Sequence, residues 1–467
     1  MTGNAAKLVV VGHGAAGLAA ALSAAEQARH RRLHLDITLL EKSGEADAGG
    51  NTRWSPSYIR MAAPDRLGSG FEEDMQQASG GLADRDYFRT LAENAVGTIG
   101  WLQSHGVEFV MPVYYLSAGP ARIQPVGGGR TIVERLAVAA RQSGVNIAYE
   151  SAAARLVRRE ARIRGVEIES GAGDTMTIDT DAVVLASGGF QGNAAMMRAS
   201  FGPQAESLKL ISPGTGFDRG DGIRMAMAEG ARVSGAWDGM HIEPVDPRSR
   251  HSAPVVLVYP YGIVVDRNGR RFFDEGSGLA HETWEVFARH IHFEREGHVA
   301  YAILDSRLFE IEGFERAIRS EVPPYQSPSI EGLAAQAGIP ASSLRATIEA
   351  FNAAAAGDAA RFDPTRCDGL AAAEALQPPK SNWARPLKKP PYLAYPLVGA
   401  MAYTFGGLAT NERAEVLGER GPLPGLYAAG ETTGHFYRTA PNAVSVLRAL
   451  VFGQIAGRQA VDFLARR

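Results

Sequence analysis

The order of apolar and polar residues near the N-terminus predicts a strand, a helix and a second strand. An apolar run, Leu8-Val9-Val10-Val11, leads into Gly12-His13-Gly14-Ala15-Ala16-Gly17. An Ala-rich stretch to about Arg29 reads as a helix, and residues 35–40 form a second apolar run ending at Glu41. Short apolar runs bounded by turn residues are buried strands, and the stretch between them is the crossover helix of a βαβ unit. The glycine spacing allows a tight turn, close approach of backbone to a pyrophosphate, and a helix packed hard on a strand. The free N–H groups at the helix start attract an anion. Glu41 stands where a carboxylate grips a ribose hydroxyl. Residues 7–42 therefore predict a dinucleotide site, because strand, turn, helix and acid occur in the order the motif needs.

Helix and strand patterns then alternate to about residue 231. Gly127-Gly128-Gly129 opens an amphipathic helix marked by Ile132, Leu136, Ala139 and Ala140. Strands are expected at 146–149, 164–168 and 181–185, with a Gly- and Asp-containing turn at 170–174. The third of these strands runs into Ala186-Ser187-Gly188-Gly189-Phe190. Ligands of open α/β sheets bind beyond the carboxyl ends of the strands, so residues 187–190 are expected beside the cofactor.

Between about 234 and 390 the character changes. A strand is expected over 255–265, then a turn at Asp266-Arg267-Asn268-Gly269, with Arg270 and Arg271 as solvated turn charges. Helices follow at 283–290, 330–336 and 342–356, and a Pro- and Ala-rich segment covers 363–391. The closing segment returns to α/β character. A strand into Ala428-Ala429-Gly430-Glu431 brings a carboxylate against a polyol chain, and Asn442 is expected to cap the last helix, whose positive end stabilises negative charge. The expected division is 1–234 and 391–467 as two parts of one domain, with 235–390 inserted as a cap.

Charge and cysteine content narrow the chemistry. With 48 Lys+Arg against 51 Asp+Glu there is no basic field for nucleic acid. The single cysteine, Cys367, leaves no disulfide, no redox-active pair and no cysteine-ligated cluster. No secretory signal and no membrane-length apolar run is visible, and residues 444–464 carry Arg448, Gln454, Arg458 and Asp462, so a cytoplasmic protein without a membrane span is expected. No metal site is expected, and no second glycine fingerprint serves a nicotinamide.

Together these blocks resemble the flavoproteins of the fumarate reductase and succinate dehydrogenase family, nearest to single-chain members similar to tricarballylate dehydrogenase. The resemblance rests on the fingerprint with Glu41, Gly49-Gly50-Asn51-Thr52, residues 186–190, Gly220-Asp221-Gly222, Tyr259-Pro260-Tyr261-Gly262, Arg271-Phe272-Phe273-Asp274-Glu275, residues 404–410 and residues 426–431. It implies an α/β fold in which a Rossmann-like FAD-binding domain, completed by the C-terminal segment, carries an inserted α+β capping domain. Non-covalent FAD is implied, since residues 50–55 lack a histidine. The implied FAD contacts are Gly12, Gly14, Ala15, Ala16, Gly17, Glu41, Lys42, Gly50, Asn51, Thr52, Ser55, Ala154, Ser187, Gly188, Gly189, Asn193, Asp221, Gly430, Glu431, Asn442, Ala443, Ser445, Val446 and Leu447.

On the substrate side, the resemblance implies hydride transfer between the flavin and a carbon-carbon bond of a small carboxylate. Arg438 lies where the family places an arginine clamp, and a planar guanidinium suits a carboxylate. His241 resembles the family's substrate histidine, and Tyr403 replaces another histidine. The family's acid arginine has no counterpart before Arg289, leaving His281, Arg289, Tyr403 and Tyr261 as candidates to move the proton. The implied electron partner is another redox protein, a quinone or oxygen. Alternatives are a 3-ketosteroid or other enone dehydrogenase, for which Tyr403, Tyr261 and Trp237 speak, and a flavin-binding subunit without chemistry.

Overall fold

A computed structural model describes residues 5–113, 119–159, 162–170, 173–355 and 361–466. Its first layer is a six-stranded sheet in the order Glu415–Gly418, Gly421–Ala428, Ala182–Leu185, Ala6–Val11, Leu35–Leu40, Asn146–Ala148. All neighbours are parallel except the hairpin at the 415–428 edge. The buried run Leu8-Val9-Val10-Val11 lies between two equally apolar strands, with Val9 opposite Val183 and Thr38, as a parallel sheet covered on both faces requires. The α/β fold expected from the sequence is therefore present, and the C-terminal segment completes this sheet.

Helix Ala15–Arg31 follows the first strand, and helix Ser445–Leu464 packs along it. Their approach is set by small residues. A Cβ on Gly453 would overlap the Ala16 carbonyl oxygen, and one on Gly457 the Ala20 carbonyl oxygen. Glycine at these two positions lets the last helix lie against the start of the fingerprint helix.

The second sheet is organised by one long strand, Tyr392–Thr404, which pairs with Lys209–Leu210, Met240–Val245, Ala300–Asp305 and Tyr325–Ser327, while Ile263–Asp266 pairs with Ala300–Asp305. This sheet takes strands from both sides of the expected boundaries at 234 and 390, so the sheets do not divide there. Helix Ala280–Glu294 packs on Met240–Val245 and on the long strand. A separate three-stranded antiparallel sheet spans Ser151–Arg159, Arg162–Ser170 and Thr175–Asp179.

Some local expectations change. The strand expected over 255–265 is broken by Pro260 into a 3-10 turn, Tyr259–Tyr261, and a shorter strand, Ile263–Asp266. Residues 171–172 of the expected turn, and residue 356 of the expected helix 342–356, lie outside the described residues. Arg271 is not a solvated charge. Its guanidinium is bonded to Glu275, at 2.6 and 3.0 Å, and to the carbonyls of Phe273, Pro378 and Pro379. Buried Lys380 lies 3.7 Å from Glu275 and donates to the Pro260 carbonyl at 2.7 Å. Among the described residues no helix is long and apolar enough to cross a membrane.

Candidate functional site

A cavity of about 1080 Å3 opens beyond the carboxyl ends of the first sheet and reaches the second. At its first end the fingerprint glycines divide by role. A Cβ on Gly12 would overlap the Ala186 carbonyl, and one on Gly17 the Gly12 carbonyl, so these two serve the strand-turn-helix packing. Gly14 is different. Its φ of −75° suits any residue, and an added Cβ would meet no protein atom closer than 3.8 Å. It borders the cavity at the start of helix Ala15–Arg31, where the positive end of the helix dipole faces inward. Neither conformation nor packing requires glycine there, and the space beside it opens into the cavity.

Other groups at this end fit a nucleotide. Glu41 is buried and lines the cavity; its two oxygens accept from the backbone N–H of His13 at 3.1 Å and of Ser43 at 2.8 Å. The His13 imidazole also lines the cavity, and its Nδ1 is buried without a hydrogen-bond partner. Burial, with Arg141 and Arg53 nearby, pulls its pKa down to about 4, so it is neutral. The Thr52 hydroxyl accepts from the Ala15 N–H at 3.3 Å, seating the 49–54 loop on the helix start. Lys42 pairs with Asp221 at 2.7 Å; burial opposes ionisation of that carboxyl, but Lys42 and Arg224 hold its pKa below the usual carboxylate range. Deeper in, the Gln191 amide donates to Asp218 at 2.8 Å and Glu431 at 3.5 Å. Burial of these neighbouring carboxyls raises both, Glu431 to about 7.

Of the expected contacts, Gly12, Gly14, Ala15, Ala16, Glu41, Lys42, Gly50, Asn51, Thr52, Ser55, Ser187, Gly188, Asp221, Gly430, Glu431, Asn442, Ala443, Ser445 and Val446 line the cavity. Five do not. Gly17 and Leu447 are buried in packing, and Ala154 is exposed at the bulge where the register of strand Ser151–Arg159 shifts, while its neighbour Ala153 lines the cavity. Gly189 packs on Glu431 and Thr404. Asn193 caps helix Ala194–Phe201 through the Met196 N–H. Asn442 lines the cavity but does not cap the last helix: that helix starts at Ser445 without a side-chain cap, and Ala443, at φ +59°, separates the two.

The other end of the cavity is made from side chains. His241 and Tyr403 are opposite residues on paired antiparallel strands, next to a register shift, and their rings stack at 4.8 Å. Helix Ala280–Glu294 adds His281, Glu285 and Arg289 at i, i+4, i+8 along one face. His241 lies between Glu285, 2.9 Å from Nδ1, and Glu243, 3.0 Å from Nε2. Burial alone would lower its pKa, but the Tyr403 phenol and the two glutamates carry it well above the ordinary imidazole value. Burial raises Tyr403, which shares a hydrogen bond with the Ser445 side chain. Burial lowers His281, and Arg122 and Arg60 add to this.

Arg438 is exposed at the cavity lining and forms no hydrogen bond or ion pair among the described residues. Its loop is pinned by Thr439, which donates to the Ala78 carbonyl, and by the Ala440 N–H, which donates to Glu285 at 3.3 Å. Arg289 lines the cavity and lies over Phe293, 5.6 Å from the ring centroid. Tyr261 is not at the cavity; it is buried and bonded to the Pro364 carbonyl at 2.8 Å. Trp237 stacks on Phe190 in the core. The sequence reading missed Glu243, Glu285, Arg319, Arg448 and Asp218, all of which line the cavity. A helical count from His281 would have found Glu285; the rest carry no local signal.

A nucleotide-binding parallel sheet joined through one cavity to a charged chamber on a second sheet defines a two-part dinucleotide-binding protein. The chain belongs to the FAD binding domain family, whose pattern matches residues 7–444, and FAD is its cofactor. Over 371 residues it is 31% identical to 4-oxocyclohexanecarboxylate 2-dehydrogenase of Sinomonas cyclohexanicum, covering 71% of this chain and 61% of that protein. It is 28% identical over 401 residues to NADH:acrylate oxidoreductase of Vibrio harveyi, covering 81% of this chain and 37% of that protein. The chain thus spans less than two thirds of either relative. Its fold is similar to the open conformation of a flavocytochrome c3 fumarate reductase, with a TM-score of 0.78, 24% identity, and coverage of 98% of this chain and 78% of that one.

Proposed function

We propose that the chain is an FAD-dependent oxidoreductase acting on a carbon-carbon bond of a small carboxylated substrate. The observation that carries this reading is one cavity that joins the Gly14 cradle to a chamber holding an uncommitted arginine, a phenol and a histidine set between two glutamates. The named activities of the relatives, on an oxocyclohexanecarboxylate and on acrylate, support the substrate class.

FAD, when bound, supplies a two-electron hydride acceptor or donor. Gly14, the start of helix Ala15–Arg31 and Glu41 would hold its nucleotide part. Arg438 would bind the substrate carboxylate through its planar fork. Residues 235–390, with the long strand Tyr392–Thr404 beneath them, would cap the chamber and keep water out. For proton movement, Tyr403 is favoured over His281: it stacks on His241 and shares a hydrogen bond with the Ser445 side chain, whereas Tyr261 lies elsewhere. Electrons would pass to or from another redox protein, a quinone or oxygen. The enone or 3-ketosteroid reading keeps one favourable observation, the same buried phenol, since a phenolic O–H can donate to a ketone oxygen.

The test is anaerobic: FAD-loaded protein is mixed with 4-oxocyclohexanecarboxylate, tricarballylate, succinate and 4-androstene-3,17-dione, and chemically reduced protein with fumarate and acrylate. Bleaching or reoxidation by a carboxylate is expected. Response to the steroid alone would favour the second reading, and response to none would sink the proposal and favour a flavin-binding subunit without chemistry.

A further inference from the structure

The His241 end of the chamber has a charge and a hydrogen-bond pattern that restrict what can sit against it. Each ring nitrogen of His241 faces a carboxylate oxygen, Glu285 at 2.9 Å and Glu243 at 3.0 Å. A neutral imidazole has one N–H and one lone pair, so one of these contacts would set a lone pair against an anion. Both contacts are favourable for an imidazolium between two carboxylates, and equally for a neutral imidazole when one glutamate carries the proton. In either arrangement the cluster has net charge −1 and the ring has no N–H left to offer a ligand.

No Lys or Arg pairs with either glutamate among the described residues, and Arg289, one turn along the helix from Glu285, lies over Phe293. Glu285 uses its second oxygen on the Ala440 N–H. Glu243 lines the cavity, and its second oxygen takes no hydrogen bond among the described residues. Buried Arg448 is engaged elsewhere: it lies over the Phe436 ring, donates to the Thr433 carbonyl at 3.3 Å, and acts on Glu431. Tyr403, stacked on His241, offers an uncharged hydroxyl. A carboxylate placed against this wall would meet like charge without a free donor from His241, which is unfavourable.

Resting on the function proposed above, we infer that the His241–Glu243–Glu285 cluster is a specificity wall. It rejects a second carboxylate and takes the uncharged, hydrogen-bond-accepting end, such as a ketone carbonyl, of a substrate whose single carboxylate sits on Arg438. The chamber thus favours keto monocarboxylates over dicarboxylates of the same size.

A matched pair of ligands tests this: 4-oxocyclohexanecarboxylate and trans-cyclohexane-1,4-dicarboxylate, which differ in ketone against carboxylate at one end. Binding is measured anaerobically by calorimetry on the FAD-loaded protein with its flavin already reduced, so that neither ligand can be dehydrogenated. The keto acid is expected to bind at least about tenfold tighter. Glu243→Gln should narrow the gap by at least about threefold through gain of dicarboxylate binding, and Glu285→Gln is the substitute if that variant does not fold. Equal or tighter binding of the dicarboxylate to the wild type overturns the inference and leaves the carboxylate enzyme standing. An unchanged gap in the folded variant removes the cluster from the role. Binding of neither ligand overturns both readings.

Discussion

At the Gly14 end of the cavity the surface is backbone and free space from the glycine turn, the helix start and Glu41, all within residues 12–41, beside side chains from distant segments such as Asp221 and Glu431. At the His241 end it is four ionisable or phenolic side chains from three distant segments: His241 and Glu243, Glu285, and Tyr403. A site made of backbone and empty space is shaped by steric rules and accepts a ligand whose chemistry does not vary. A site made of side chains is shaped by charge, so one substitution changes what it accepts. On the proposed function, the first end would fix the cofactor and the second would set the choice of substrate.

The largest effects should come from breaking the glycine roles apart. Gly17→Ala places a methyl against the Gly12 carbonyl and should destabilise the protein by about 3 kcal/mol, read as a lowered midpoint in urea. Gly14→Val, with no protein atom in its way, should leave the apoprotein's midpoint nearly unchanged while weakening FAD binding at least ~100-fold. Equal loss of stability in both variants would show that Gly14 is a packing glycine after all.

On the other side of the comparison, Arg438→Ala should cost at least ~2 kcal/mol of carboxylate binding, about a 30-fold rise in substrate KM, with FAD affinity unaltered. Loss of FAD in that variant would assign Arg438 to the cofactor end. A smaller effect concerns Glu431, whose pKa is raised by burial to about 7 from an ordinary 4.5. The folded apoprotein then binds more protons than the unfolded chain between these values. The stability this gives is complete below pH 4.5 and is lost as pH rises through 7. Glu431→Gln should flatten that slope by about 1–2 kcal/mol, and an unchanged slope would mean that another group carries it.

How far the sequence revealed each end follows from the same contrast. The glycine turn, its helix and Glu41 are local, and hydrophobic periodicity placed them correctly. So did the strand into Glu431, which closes the same sheet from the far end of the chain. Register was less secure: Ala154 was expected at the cavity, yet Ala153 lines it, because the strand carries a bulge at Ala154 that periodicity alone does not reveal. At the substrate end, resemblance pointed to His241, Tyr403 and Arg438, but not to the glutamates around the histidine. A glutamate on a helix looks like a solvated residue until the helix is docked on a strand carrying an imidazole. Arg271 misled for the same reason: Lys380 and the carbonyls of Pro378 and Pro379, more than a hundred residues away, are what bury it.

The central claim is that a carboxylate held by Arg438 lies in the same cavity as the cofactor. Its most direct test is a titration of the oxidised, FAD-loaded protein with cyclohexanecarboxylate under anaerobic conditions, following the visible flavin bands of the wild type and of Arg438→Ala. The account predicts a saturable band shift in the wild type that requires about 30-fold more ligand in the variant. Flavin bands that do not move in the wild type, or identical titrations of the two proteins, would contradict it.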